Sequence, residues 1–134
     1  MVNPRKAYPV DPGLIPVFDR AVRTNIGHAL ETVVLVELER RGMNITYVRT
    51  PEGHEVDFLA RQPAGEMELI QVCADPSVGE TLERELRSLV EAGRHYPHAK
   101  RRLLTLTRDM LPPKTPAGII AQPACEWLLT TPAQ

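Results

Sequence analysis

The stretch that most constrains the fold is GHEVDFLARQPAGEMELIQVCAD, which runs from Gly53 to Asp75. Two runs rich in strand-forming residues flank a Pro-Ala-Gly turn, so the pattern predicts a β-hairpin with strands over 54–60 and 68–73. Asp57 falls inside the first of these strands, between a valine and a phenylalanine that are suited to burial. A carboxylate at such a position is either part of a chemical site or one half of a buried ion pair, because an uncompensated buried charge is costly.

The rest of the chain alternates helix and strand signals. We predict a helix over 25–42 that ends at Gly42, a strand over 44–50, and a helix over 77–96 that opens on the capping box of Ser77 and Glu80. Further strands are predicted over 101–107 and 118–122, with a short helix over 124–129. Residues 1–24 are interpreted as a lead-in segment with a short turn or helix over 11–18. This order predicts an α/β, or mixed α+β, domain over 25–134, with helices packed on a central sheet.

Composition limits the classes of function. The chain has 134 residues, with 16 Lys and Arg against 17 Asp and Glu, and lacks the basic excess of a free-standing nucleic-acid binder. The two cysteines are too few for a disulfide framework or a four-ligand zinc site, and no apolar run approaches the length of a membrane span. A cytoplasmic protein with no membrane partner is therefore expected. The sequence leaves the oligomeric state open.

Glu31 is the second acid in an apolar setting. On a helical wheel it falls within the arc of Leu30, Val34, Leu35 and Leu38, whereas the other acids of that helix lie elsewhere. Either an arginine compensates Glu31 or it belongs to a site with Asp57. The pairs Glu80–Arg84 and Glu83–Arg87 of the next helix are interpreted as solvated surface pairs without functional meaning.

Strand parity predicts which side chains meet Glu31. If Asp57 lies opposite Gln71, then Glu55, Asp57 and Leu59 share one face of the sheet with Leu69, Gln71 and Cys73. If Tyr47 lies opposite Asp57, Arg49 joins that face. We therefore expect Glu31, Asp57, Gln71 and Arg49 to form either a metal-type site or a compensated ion-pair network.

Several segments together resemble a known family. Asn25-Ile26-Gly27-His28-Ala29-Leu30-Glu31, Gly53-His54-Glu55-Val56-Asp57-Phe58 and Ile70-Gln71-Val72-Cys73 are similar to an uncharacterised C-terminal domain found on many prokaryotic AAA-type ATPases. The resemblance implies a three-layer, restriction-endonuclease-like core of the PD-(D/E)xK superfamily, ordered helix-β-β-β-helix-β around a central mixed sheet. It also implies an ATPase core as a partner in the parent protein. No G-x-x-x-x-G-K-[ST] motif occurs, so the chain is either an excised domain or a protein that has lost its ATPase half.

The same resemblance assigns roles to the acids. Nucleases of that superfamily carry a helix glutamate, a strand aspartate and an acid-x-lysine triplet, which Glu31, Asp57 and Gln71-Val72-Cys73 occupy in turn. Gln71 brings no charge to a metal, and Cys73 cannot supply the ammonium group that stabilises a transferring phosphate. Arg49 is the candidate substitute cation. Two functions are possible. The first is a degenerate, non-catalytic module for binding or assembly, with weak nucleic-acid affinity and no required cofactor. The second is a phosphodiesterase with Mg²⁺ or Mn²⁺ held by Glu31, Asp57 and Gln71.

Overall fold

The computed structural model describes residues 21–74 and 79–130, with side chains placed over 25–74 and 81–130. The helices are α1 (Ala21–Arg40), α2 (Gly79–His95) and α3 (Ala124–Leu129). The strands are β1 (Asn44–Arg49), β2 (Glu55–Arg61), β3 (Met67–Cys73), β4 (Lys100–Thr105) and β5 (Ile119–Pro123), with a 3₁₀ turn at Arg108–Met110 between the last two. The predicted order of elements is confirmed. The predictions for residues 1–20 and the capping serine at 77 lie outside the described residues.

The five strands form one mixed sheet in the order β1-β2-β3-β4-β5. The first three strands pair antiparallel, and β3, β4 and β5 pair parallel. Antiparallel neighbours need only tight turns, whereas a parallel neighbour needs a crossover, which α2 supplies between β3 and β4. The sheet is therefore an antiparallel meander with a parallel unit added at β3.

Element boundaries differ from the predicted ones by a few residues. Helix α1 begins at Ala21 rather than near residue 25, so its first turn includes the end of the segment that we interpreted as a lead-in. It ends at Arg40, and Gly42 follows with a φ of 75°, the left-handed conformation that commonly terminates helices. Helix α3 has the predicted bounds.

Two apolar cores lie on opposite faces of the sheet. Helices α1 and α3 cover one face over Ile45, Phe58, Ala60, Ile70, Val72 and Leu104. Helix α2 covers the other face over Val48, Val56, Leu59, Leu69, Cys73, Leu103 and Ile119. Strand β3 is buried over five consecutive residues because both of its faces are covered. The domain thus has three layers.

Strands β1 and β2 carry a β-bulge in the middle of their pairing. The register shifts by one residue between the pairs Thr46↔Leu59 and Val48↔Val56. Tyr47 therefore faces two residues of β2, Asp57 and Phe58. An extra residue in one strand bends it and re-aims its side chains, and such bulges often lie beside functional sites. The bulge also explains why Val56 and Leu59, three positions apart, both pack on the α2 side.

No helix in the described ranges is long and apolar enough to cross a membrane. Neither Cys73, which is buried, nor Cys125, which is exposed, belongs to a disulfide bond.

Candidate functional site

Strands β2 and β3 part at the position of the unusual acid. Their regular pairing ends at Phe58↔Ile70, one step before Asp57 and Gln71. Beyond that pair, side chains bond to the backbone across the gap. The backbone N–H of Asp57 donates to Oε1 of Gln71 at 2.9 Å, and the backbone N–H of Val72 donates to Oδ2 of Asp57 at 2.9 Å. Asp57 and Gln71 are thus opposite each other, as the register argument predicted, and they satisfy backbone donors that the sheet no longer pairs.

The parted strands open into a cleft of about 780 Å³ between the two helical layers. Helix α1 contributes Glu31, the start of β2 and the preceding turn contribute residues 53–55 and Asp57, and β3 contributes Gln71 and Val72. Helix α2 closes the other side with residues 83–85, 87 and 88. Glu31, Asp57 and Gln71 therefore line one cleft, as the sequence predicted.

The reason that we predicted for this convergence was wrong. Leu59, Leu69 and Cys73 belong to the core on the α2 side, whereas Glu31 is on α1, across the sheet. A helix on that side cannot pack over the face that these residues share. Glu31 and Asp57 line one cleft because the strands part at the end of the sheet, where both helical layers reach the gap, and because the β-bulge re-aims Asp57.

Arg49 does not line the cleft. It is exposed at the end of the edge strand β1, where it pairs in register with Glu55. The predicted substitute cation is therefore misplaced. The arginines that do line the cleft are Arg84 and Arg87 of α2, a helix to which the sequence assigned only surface pairs.

Among the described residues that line this cleft, acids outnumber bases. Its lining includes five carboxylates, those of Glu31, Glu55, Asp57, Glu83 and Glu85, against the two arginines and His54. The side chain of Arg84 is 72% exposed and lies 3.8 Å from Glu85, which is a weak surface ion pair. Within the described part of the chain, the predicted pair of Glu83 with Arg87 is not formed. The described lining residues therefore supply mixed charge, and they form no basic surface of the kind that binds phosphate groups.

The side chains of Gln71 and Cys73, the two ends of the triplet on β3, are both buried. Gln71 is only 5% exposed, and its one ligand-type oxygen already accepts a hydrogen bond from the backbone of Asp57. Cys73 is 4% exposed, packs in the core beneath α2 and does not line the cleft. The position that carries a lysine in the resembled nucleases is thus an apolar packing position here.

Metal binding would rest on few ligands. Over the described ranges, no three His, Cys, Asp or Glu side chains are grouped so that they would hold a metal ion. Glu31 and Asp57 are the carboxylates nearest to such a role, and Asp57 already uses Oδ2 to accept from Val72. Mg²⁺ prefers several hard oxygen ligands in octahedral geometry. The donor set on this side of the cleft fits that requirement poorly.

Sequence reasoning missed the contribution of α2. Ser88 is 6% exposed and lines the cleft, although it lies in a helix whose buried stripe is otherwise apolar. The available signal was the position of this serine directly before Leu89, at the edge of the buried stripe.

Comparison with known proteins adds no relative from which a role would follow. No protein-family model matches the chain, and neither a curated protein nor a solved structure matches it.

Proposed function

We propose that this chain is a degenerate, nuclease-like domain that serves binding or assembly and does not catalyse phosphodiester hydrolysis. One observation carries the proposal: Asp57 and Gln71 use their polar atoms to bond the backbones of the two parted strands. These are the atoms that a nuclease would present to a metal and a water molecule. We further propose, from the sequence resemblance, that the domain is the C-terminal part of an AAA-type ATPase of the reduced cytoplasm.

Hydrolysis of a phosphodiester needs a held metal, a cation near the scissile phosphate and a path for the proton of the attacking water. The cleft has an amide in place of one acid, and the thiol in place of the lysine is buried in a core. The described residues that line it include five carboxylates and two arginines, so they supply no basic surface for a phosphate backbone. A binding role requires none of the missing groups.

The alternative is a phosphodiesterase dependent on Mg²⁺ or Mn²⁺, in which Glu31, Asp57 and Gln71 hold the metal. The observation in its favour is that these three side chains line one cleft. In that case Arg84 or Arg87, rather than Arg49, would supply the cation.

A cleavage assay with the purified chain tests the proposal. Single-stranded DNA, double-stranded DNA and RNA are each incubated with Mg²⁺ and, separately, with Mn²⁺. We expect no cleavage above that of an Asp57→Ala variant, and weak, salt-sensitive binding of each nucleic acid in fluorescence anisotropy. Cleavage that disappears in Asp57→Ala would establish the phosphodiesterase instead.

A further inference from the structure

We draw no further inference here: the strongest candidate, the buried side chains of Gln71 and Ser88 on the two sides of the cleft, belongs to the site already described, and nothing in the described residues shows which ligand would lie between them.

Discussion

The hydrogen bond from the backbone of Val72 to Oδ2 of Asp57 predicts how the site responds to two substitutions. Asp57→Ala removes the acceptor and leaves the N–H of Val72, a residue that is 8% exposed, without a partner. Losing a hydrogen bond to a charged group costs about 1.5–3 kcal/mol. For 134 residues the entropy of unfolding is about 0.28 kcal/mol/K, so a loss of about 2 kcal/mol lowers the melting temperature by roughly 7 °C.

Asp57→Asn keeps a carbonyl oxygen in the same place and removes one negative charge from an acid-rich cleft. The hydrogen bond from Val72 is kept, although a neutral acceptor makes it weaker. We therefore expect the free energy of unfolding to stay within about 1 kcal/mol of the parent protein. Urea unfolding read by fluorescence measures both variants, since the single tryptophan, Trp127 of α3, is 3% exposed and packs in the core shared with α1.

Two results would refute this reasoning. Equal stabilities of Asp57→Ala and Asp57→Asn would mean that the bond to Val72 contributes nothing. A loss of about 3 kcal/mol or more in Asp57→Asn would mean that the charge of Asp57 is paired with a buried cation, the ion-pair interpretation that the sequence left open.

Three further outcomes are expected. A hydrogen bond from Arg40, with a further one from Arg41, lowers the pKa of the Glu37 carboxyl to about 2 against the opposing effect of burial. The stability that the ionised Glu37 carboxyl contributes is present above its ordinary pKa of 4.5 and is lost as the pH falls toward 2. In Glu37→Gln the urea midpoint should therefore depend less on pH between 4.5 and 2 than in the parent protein. Gly27→Ala should stabilise the protein by about 0.5–1 kcal/mol, because Gly27 lies on α1 with open space around it. Gly118→Ala should destabilise the protein, because Gly118 has a φ of 84° and an added Cβ would meet the guanidinium of Arg101. Thermal melts compare the two variants. Cys73→Lys combined with Gln71→Glu, which restores the nuclease triplet in sequence, should unfold the domain rather than activate it, because it buries an ammonium group; circular dichroism checks this.

Much of the fold was predictable because its turns and helix ends are determined by residues close together in the sequence. Local signals mark individual elements: the turn residues at 51–53 and 63–65, the helix-terminating Gly42 and the apolar stripe of α2. The position of Glu31 within an apolar arc likewise placed it on the side of α1 that meets the sheet. These features depend on period and on backbone conformation, which single residues encode.

The rest of the site depends on interactions between distant segments. The bulge at Asp57 is a mismatch between two strands, and counting every second residue along either one cannot detect it. Arg49 was placed by that count and lies elsewhere. Ser88 lines the cleft only because the crossover places α2 beside the gap between β2 and β3. Neither the mismatch nor the helix position has a signal in any one segment.

The mixed sheet also orders the events of folding. Pairing within β1, β2 and β3 closes only the short turns at 50–54 and 62–66, whereas β4 joins the sheet only after the crossover that contains α2. Shorter loops lose less chain entropy on closure, and local contacts form faster. In pulse-labelled hydrogen exchange we expect amides of 44–73 to gain protection before those of 100–123, and the reverse order would exclude this sequence of events. The antiparallel meander would then be the template on which the chain adds its parallel half, and the cleft would take shape only in the second stage, when α2 arrives.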